Sequence, residues 1–288
     1  MGGMLRTAAV VVLYNPSQEH LENIVCYSDS VGRVYAIDNS ENRAPETATQ
    51  LAAIPGVVYL PNQGNQGIAS ALNIGAEQAI ADGYDLLLTM DQDSTATPGM
   101  VDALLSCFER FGRNEVGIVS PCHQLGEEKK HYTGDCDDIE VAMASGNLLN
   151  LAAYAAVGPF RTDYFIDYVD HEYCLRLRQH GYRIIRANAA VLRHRLGAMT
   201  WHRLLHKQIK LGNHPPLRRY YGYRNMFHLH RQYKDEFPVY FRYFYREIFQ
   251  EIGAVLLFEQ QKLEKLRMML RGYLDYRQGI FGKYRERS

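Results

Sequence analysis

Two carboxylates that flank a glutamine end a continuous apolar run at residues 83–94 of this 288-residue chain. If the backbone stays extended, Asp91 and Asp93 point to the same side, because residues two apart in a strand share a face. Paired carboxylate oxygens suit Mg²⁺ or Mn²⁺, which proteins often hold with one or two carboxylates while substrate phosphates complete the coordination. The spacing therefore predicts a divalent-metal site. A polar exit from a strand, with Asp91 capping the next turn, is the alternative that the pair alone leaves open.

A second acidic cluster occupies residues 164–176 and contains Asp167, Asp170 and Glu172. A carboxylate in such a cluster can act as a general base that takes a proton from an attacking hydroxyl. The same acids also suit the start of a helix, where the helix dipole stabilises negative charge. The residue types by themselves do not show which of the three acids would be the base.

Histidine and cysteine side chains give weaker signals. His194 ends a predicted strand that begins at Arg183, and a single histidine there is more often structural than a ligand. The cysteines are odd in number and contain no C-x-x-C pair, so we expect reduced thiols rather than a disulfide framework or a zinc site. They are Cys26, Cys107, Cys122, Cys136 and Cys174.

The apolar run before Asp91 has the composition of a strand that is buried on both faces, as in the middle of a parallel sheet. Three similar runs come earlier, and helical spacing separates them. They lie at residues 7–15, 33–40 and 57–60. This alternation predicts an α/β fold with a doubly wound, mostly parallel sheet. Because such sheets bind ligands beyond the carboxyl ends of their strands, we expect Asn15, Asp38 and Asp91 along one edge.

A glycine-rich segment at residues 64–67 precedes a helical pattern that extends to Ile80. The N–H groups at the start of that helix would point to whatever lies above the sheet. The spacing is neither G-x-G-x-x-G nor the G-K-[ST] of a P-loop, so a dinucleotide or ATP site is disfavoured. A ligand contact and a plain turn before a packed helix stay equally open.

Charge is divided unevenly along the chain, although the formal net charge is zero. Residues 201–288 hold 18 of the 32 lysines and arginines but only 8 of the 32 acidic residues. Apolar residues recur there at helical spacing, which predicts a basic amphipathic helical pair. The pair would either pack on the preceding domain or contact an anionic surface, such as a membrane leaflet or nucleic acid. No apolar run reaches the ~20 residues that span a bilayer, so we expect a cytoplasmic protein with peripheral membrane contact at most.

Taken in order, the motifs of residues 7–230 resemble the inverting family-2 glycosyltransferases of the GT-A fold, and among these they are most similar to bacterial rhamnosyltransferases. The segments that carry the resemblance are 11–16 (VVLYNP), 38–40 (DNS), 65–75 (NQGIASALNIG), 89–94 (TMDQDS), 141–150 (VAMASGNLLN), 164–176 (YFIDYVDHEYCLR), 194–197 (HRLG) and 216–225 (PLRRYYGYRN). The resemblance implies a GT-A catalytic domain at residues 1–230, with a nucleotide-sugar half at 1–95 and an acceptor half at 96–230. Residues 231–288 would form a helical extension.

The resemblance also implies roles for individual residues. Asp91 and Asp93 match the family's D-x-D motif, and His194 would complete the shell of an Mg²⁺ or Mn²⁺ ion on the donor diphosphate. The residues expected to contact the base and ribose are Leu13, Asn15, Asp38, Asn65 and Gly67. The residues expected beneath the donor sugar are Ser145 and Gly146, and those expected to neutralise the departing diphosphate are Arg218, Arg219 and Arg224.

Alignment on Cys174-Leu-Arg176 places Asp170 on the aspartate of the family's E-D motif, which is the catalytic base. Val169 stands where the family usually has glutamate. Glu172 occupies a second acidic position that would orient the acceptor or the base, and Asp167 is the remaining candidate.

The implied reaction transfers L-rhamnose from dTDP-L-rhamnose to a glycan acceptor of a bacterial cell-surface polysaccharide, an O-antigen, capsule or cell-wall glycan. A lipid-linked acceptor would suit contact with the inner face of the membrane, and no nucleic-acid partner is expected. A UDP-sugar donor is the alternative within the family. A sugar-1-phosphate nucleotidyltransferase would need a glycine-rich, arginine-containing loop where this chain has Tyr14-Asn-Pro16. A non-enzymatic membrane or nucleic-acid binding module would leave both acidic clusters unexplained.

Overall fold

The computed structural model describes residues 5–124, 134–194, 199–204 and 207–286. The chain divides into two compact units, Met1–Thr162 with Val169–Arg195, and Asp163–Tyr168 with Leu196–Ser288. This division differs from the expected boundary at residue 230. Helix α7 (Pro216–Tyr233) belongs to the second unit because it packs against the helices that follow it.

Within the described residues, the first unit contains a mixed sheet of nine strands. They are β1 (Thr7–Leu13), β2 (Val34–Asp38), β3 (Val57–Pro61), β4 (Leu86–Asp91), β5 (Ser94–Ala96), β6 (Val116–Gln124), β7 (Cys136–Ile139), β8 (Asn147–Asn150) and β9 (Arg183–His194). Their order is β3-β2-β1-β4-β8-β6-β9-β5, and β7 pairs with β9. The flanking helices are α1 (Gln18–Ser28), α2 (Pro45–Ala52), α3 (Ile68–Ala81), α4 (Met100–Phe111), α5 (Leu151–Val157) and α6 (Val169–Gln179).

The predicted α/β fold is confirmed, and β1, β2, β3 and β4 pair in parallel as their apolar runs indicate. The segment 141–150 differs from the single strand expected there. Only its last four residues form β8, which runs antiparallel to β4 and β6. The preceding residues turn at Gly146, whose φ is 81°.

The core of the sheet follows from strands that are apolar on both faces. Val10 and Leu88 are completely buried in the middle of β1 and β4. Helix α3 lies close to β1 at Gly75, where an added Cβ would sit 2.3 Å from a methyl group of Val10. A larger residue at position 75 would push the helix off the sheet.

The carboxyl ends of the central strands meet at one edge, as expected. In the pairing of β1 with β2, Leu13 lies opposite Asp38, and in the pairing of β1 with β4, Val12 lies opposite Asp91. The polar residues that follow these strands therefore start from the same edge of the sheet.

The second unit contains α7, α8 (Phe244–Phe258), α9 (Lys262–Arg277) and a hairpin of β10 (Met199–Leu204) and β11 (Lys207–Gly212). Two helices follow residue 237, as the sequence pattern predicts, but residues 238–243 form turns and α8 begins only at Phe244. An apolar cluster joins α7, α8 and α9 through side chains that include Met226, Ile248 and Met269. Among the described residues, no helix is both long enough and apolar enough to cross a bilayer.

The expectation that every cysteine is a reduced thiol is wrong for one pair. The sulfur atoms of Cys107, on α4, and Cys136, on β7, are bonded to each other. The two residues are 29 positions apart, and only the packing of α4 beside the sheet brings them together. Their spacing in the sequence carries no signal of this contact.

Candidate active site

Asp91, Asp93 and His194 converge at the carboxyl end of β4. Their possible ligand atoms all lie within 4.8 Å of one another, and Asp93 Oδ1 is 3.9 Å from His194 Nδ1. The extended backbone expected between the two aspartates is not found, because residues 92 and 93 form a turn. The turn leads into β5, where Ser94 pairs with His194 in the ladder to β9. The three residues, called the metal cluster below because they could hold a metal ion, are therefore assembled by strand pairing between positions 100 residues apart.

These side chains form a donor set that fits a hard divalent cation. Two carboxylates and one imidazole are ligands that Mg²⁺ and Mn²⁺ accept, and substrate phosphates can complete the shell. Ser94 Oγ lies 2.7 Å from Nδ1 of His194. A hydrogen bond at one ring nitrogen orients an imidazole and leaves the other nitrogen for an ion.

Gln92, between the two aspartates, is a site residue that sequence reasoning missed. Its side-chain amide accepts a hydrogen bond from Tyr14 N at 2.8 Å and donates one to Tyr14 O at 3.1 Å. The amide therefore ties the turn of the metal cluster to the loop after β1. A glutamine between two acids has the right groups for this, but its partner could not be read from the sequence.

Ser145 connects the metal cluster to the segment before β8. Its hydroxyl accepts a hydrogen bond from Asp91 N at 3.0 Å and donates one to Ser94 Oγ at 2.8 Å. Ser145 is only 2% exposed. Its hydroxyl is thus used in hydrogen bonds to the backbone of Asp91 and to Ser94, and the place beneath the donor sugar that the resemblance implied stays a prediction.

Gly146 was expected to let a sugar approach the backbone, and the structure gives a different reason for this glycine. An added Cβ would lie 2.7 Å from Pro121 and 2.8 Å from Leu192, both of which are protein side chains. The φ of 81° also favours glycine. Packing and backbone conformation require glycine here, independently of any ligand.

His123, on β6, is a second residue that the sequence analysis did not place in the site. Its Nε2 donates to the carbonyl oxygen of Ser145 at 2.7 Å, and its ring centroid is 6.3 Å from that of His194. Burial lowers the pKa of His123 below its usual value, so the ring is neutral at pH 7. A neutral histidine here adds no positive charge beside a cation site.

Asp170 lies in the first turn of α6 and faces the same segment. Its Oδ2 accepts a hydrogen bond from Ala144 N at 3.2 Å, and its Oδ1 accepts one from His171 N at 2.9 Å. Ser145, the residue after Ala144, is hydrogen-bonded to Asp91 N and Ser94 Oγ. The segment at residues 144–145 therefore contacts both Asp170 and the metal cluster. This placement suits a base that acts beside a metal-bound donor.

Glu172 does not have the exposed position expected of a group that orients an acceptor. It is 1% exposed and pairs with Arg176, with both N···O distances at 3.0 Å. Arg176 also donates to the carbonyl oxygens of Val157 and Pro159. The ion pair lies within α6 and holds the Arg176 side chain, whose hydrogen bonds join α6 to the end of α5; this is a structural role.

Asp167 and Arg218 form an ion pair within the second unit, with an N···O distance of 3.0 Å. The Arg218 side chain is 46% exposed, so this arginine remains accessible. Its contact with a diphosphate stays a prediction.

Arg219 and Arg224 are not available for the diphosphate contacts expected of them. Arg219 is 6% exposed and pairs with Glu251 and Glu259. Arg224 is completely buried and donates to the carbonyl oxygens of Gly282, Asp163 and Tyr164. A buried guanidinium group is costly unless it is paired and hydrogen-bonded. These ion pairs and hydrogen bonds meet that need and link separate parts of the second unit.

Asn225 completes this arrangement and was not singled out from the sequence. Its side-chain Nδ2 lies 2.9 Å from three carbonyl oxygens, those of Tyr164, Ile166 and Asp167. The loop that it holds contains three residues with positive φ, which are Phe165, Asp167 and Tyr168. Asn225, at the end of the motif at 216–225, therefore stabilises the conformation of the loop at residues 163–168.

The residues expected to bind the nucleotide lie at the sheet edge, but several already have protein partners. Asp38 is completely buried and accepts hydrogen bonds from Ser40 N at 2.9 Å and Tyr59 OH at 2.7 Å. The Leu13 side chain is part of the hydrophobic core. Asn15 is exposed at a φ of 46°. Nucleotide contacts by these residues stay predictions.

The glycine-rich segment forms a tight turn immediately before α3. Gly67 is the N-cap, with a φ of 85°, and its N–H donates to the side chain of Asn65 at 3.0 Å. Its carbonyl oxygen accepts a hydrogen bond from Asn39 Nδ2 at 3.0 Å. These contacts account for the turn, and the expected ligand contact of Asn65 and Gly67 stays a prediction.

Known proteins resemble this chain in sequence and in fold. The family model of glycosyl transferase family 2 matches residues 33–147, which include both aspartates of the metal cluster. The dTDP-rhamnosyl transferase RfbF of Shigella flexneri is 28% identical over 95% of this chain and 96% of that protein.

Two solved structures share the fold. GalNAc-T7, crystallised with UDP, GalNAc and Mn²⁺, has a TM-score of 0.57 at 14% identity over 74% of this chain, and this chain spans 45% of its length. TarS of S. aureus, residues 1–349, has a TM-score of 0.55 at 9% identity over 96% of this chain and 72% of that one. At such low identity the likeness shows the GT-A fold alone. The family match over residues 33–147 and the similarity to RfbF along nearly the whole chain indicate a glycosyltransferase that is similar to those of family 2.

Proposed function

We propose that the chain is a metal-dependent, inverting rhamnosyltransferase that moves L-rhamnose from dTDP-L-rhamnose to a glycan of the bacterial cell surface. The observation that carries the proposal is the cluster of Asp91, Asp93 and His194 within 4.8 Å at the carboxyl end of β4. The choice of donor is supported by the 28% identity to a dTDP-rhamnosyl transferase along nearly the whole chain.

Asp91, Asp93 and His194 would hold the Mg²⁺ or Mn²⁺ ion. When bound, such an ion stabilises the charge that develops on a departing diphosphate. The turn at residues 92–93, tied to Tyr14 by Gln92, fixes the two carboxylates relative to the loop after β1.

Asp170 acts as the general base in this proposal. The acceptor hydroxyl oxygen forms a bond to the anomeric carbon on the face opposite to the diphosphate. The bond from that carbon to the diphosphate oxygen breaks, and dTDP leaves with the electron pair. The hydroxyl proton moves to the Asp170 carboxylate, which the N–H groups of Ala144 and His171 hold in orientation.

A thermal-shift panel tests the donor site without a known acceptor, because a ligand that binds the native state raises the melting temperature. The panel contains dTDP, UDP, GDP and CDP, each with and without Mn²⁺. We expect selective, Mn²⁺-dependent stabilisation by dTDP that disappears in Asp93→Ala. A preference for UDP would replace rhamnose with a UDP-sugar donor. No response to any nucleotide would contradict the donor site.

We also propose that the second unit contacts an anionic lipid surface, which would suit a lipid-linked acceptor. Helix α9 exposes Leu263, Leu270 and Leu274 at helical spacing, with Leu263 85% exposed. Helix α8 likewise exposes Phe249 and Leu257. Exposed apolar side chains of this size, three of them at helical spacing on α9, indicate an interaction surface.

The charges around these side chains favour anionic lipid as the partner. Between residues 242 and 277 the exposed basic residues are Arg242, Arg246, Lys262, Arg267 and Arg277, and the exposed acidic residues are Glu247 and Glu264. Two other acids of this stretch, Glu251 and Glu259, pair with Arg219. The surface that remains is basic and apolar, as in helices that bind membranes in the interfacial plane.

Co-sedimentation with vesicles tests this surface. We expect binding to vesicles that contain phosphatidylglycerol and about tenfold weaker binding for Leu263→Asp/Leu270→Asp, because both leucines would lose apolar contact. Val25→Asp, at an exposed valine on α1, is the matched control and should bind like the wild type. Equal binding of all three proteins would contradict the proposed surface.

A further inference from the structure

A small cavity lies beside the proposed base. Its volume is about 10 Å³, and the residues around it include Asp170, Tyr173, Asn147, Thr89 and Phe160. Asp170 and Tyr173 are three positions apart on α6, so their side chains lie on the same face of the helix. The volume is the space open to the centre of a water-sized sphere, and about 10 Å³ is the lower limit for a cavity that holds one water molecule.

Two of the residues around this cavity each have a buried polar atom that lacks a hydrogen-bond partner among the described residues. Tyr173 OH and Asn147 Oδ1 have no hydrogen bond within the described part of the chain, and the two residues are 0% and 3% exposed. Buried polar groups are almost always hydrogen-bonded, to protein or to ordered water. Burial raises the pKa of Tyr173 well above its usual value, so the phenol keeps its proton and can donate.

We propose that this cavity binds a structural water molecule that links Tyr173 and Asn147 to the carboxylate of Asp170. The water accepts a hydrogen bond from Tyr173 O–H and donates one to Asn147 Oδ1 and one to an Asp170 oxygen. These bonds use each partner as its chemistry allows, since an amide oxygen can only accept and a phenol can donate. Three bonds are also the usual number for a buried water.

The water would give Asp170 a third donor besides the N–H groups of Ala144 and His171. A carboxylate has about four lone-pair sites, so three donors would leave one for an acceptor hydroxyl. Tyr173 is then a positioning residue that acts through the water. This part of the inference rests on the proposed function, in which Asp170 is the base.

A high-resolution crystal structure of the wild-type protein tests the water itself, whatever the reaction. We expect one density peak within hydrogen-bond distance of Tyr173 OH, Asn147 Oδ1 and an Asp170 oxygen. In Tyr173→Phe the water should be lost or displaced. A dry cavity, or a direct hydrogen bond between Tyr173 and Asp170, would overturn the inference.

Kinetics test the positioning role. We expect Tyr173→Phe to lower kcat about tenfold and to leave KM for the nucleotide-sugar unchanged, because the change affects only the orientation of the base. Tyr154→Phe is the matched control. It also removes a buried phenol, one that donates to Asn73 at 3.1 Å, and its ring lies 6.3 Å from that of Tyr173.

The outcomes separate the inference from the proposed function. Equal losses of kcat in Tyr173→Phe and Tyr154→Phe, or a raised KM, would indicate a general packing effect and overturn the positioning role. Wild-type kcat in Tyr173→Phe together with an inactive Asp170→Asn would leave the base in place and overturn the inference alone. An active Asp170→Asn would overturn the proposed function, while the crystallographic test of the water would still stand.

Discussion

Asp170 is the residue on which the chemical step of the proposed reaction depends. We expect Asp170→Asn to lower kcat by about 10²–10⁴, because the amide has the same shape but cannot take the acceptor proton. Affinity for dTDP should stay at the wild-type value, since the substitution leaves the metal cluster intact. Donor turnover and calorimetric binding of dTDP measure the two effects.

Asp167→Asn is the control for this prediction. Asp167 lies three residues earlier and pairs with Arg218, so its amide variant should keep kcat near that of the wild type. Full turnover by Asp170→Asn, with turnover lost in Asp167→Asn, would identify Asp167 as the base instead of Asp170.

Gly146 provides a test of packing at a single residue. We expect Gly146→Ala to destabilise the fold by about 2–4 kcal/mol, because the methyl group meets Pro121 and Leu192 and the φ is positive. Gly99→Ala has a similar φ of 76° with no atom within 4 Å, and should cost only about 1 kcal/mol. Urea unfolding compares the two. Equal losses of unfolding free energy in the two variants would show that the positive φ alone, without packing, requires glycine at position 146.

At the scale of elements, the pairing of β5 with β9 brings the imidazole to the two aspartates. We expect Ser94→Ala to weaken Mn²⁺ binding about 10- to 100-fold, because the ring of His194 loses the partner that orients it. Mn²⁺ binding followed by electron paramagnetic resonance measures this without turnover.

Thr97→Ala is the control for the strand pairing. Its hydroxyl donates to Val191 O at 2.7 Å, in the same region but away from the metal cluster. Wild-type Mn²⁺ affinity in Ser94→Ala, or an equal loss in Thr97→Ala, would count against a specific role of Ser94.

The loop at residues 163–168 depends on α7 for its conformation. We expect Asn225→Ala to destabilise the second unit by about 2–3 kcal/mol, because buried carbonyl groups of the loop lose their donor. Asn225→Asp keeps the size of the side chain and replaces the donor with an acceptor, so its loss should be at least as large. Denaturant unfolding and limited proteolysis of the loop measure the effect. A stable Asn225→Asp would rule out the donor role.

At the scale of the whole molecule, the zero net charge conceals an acidic N-terminal part and a basic C-terminal part. Because electrostatic attraction to a membrane surface is screened by salt, vesicle binding should fall several-fold between about 50 mM and 500 mM NaCl. Vesicles of phosphatidylcholine alone should bind weakly at both concentrations. Binding that is independent of salt and of lipid charge would contradict the basic character of the surface.

The sequence alone determined the parallel strands and the acids at their ends. Val10 and Leu88 lie in short runs whose apolar residues do not alternate with polar ones, which is typical of a strand that is buried on both faces. Asp91 follows one of these runs directly, so its place at the sheet edge follows from local pattern. The same reasoning located the helices of the C-terminal part, whose apolar residues recur at helical spacing.

The tertiary structure decided which of the candidate residues meet. His194 reaches Asp93 only because β5 pairs with β9, and Cys107 reaches Cys136 only because α4 packs beside the sheet. Arg224 has the composition of a diphosphate ligand but lies inside the second unit, where carbonyl oxygens take its donors. Such contacts join positions far apart in the chain, and burial decides whether a charged group is left for a ligand. Neither property is encoded in the spacing of neighbouring residues, so both could be learned only from the folded chain.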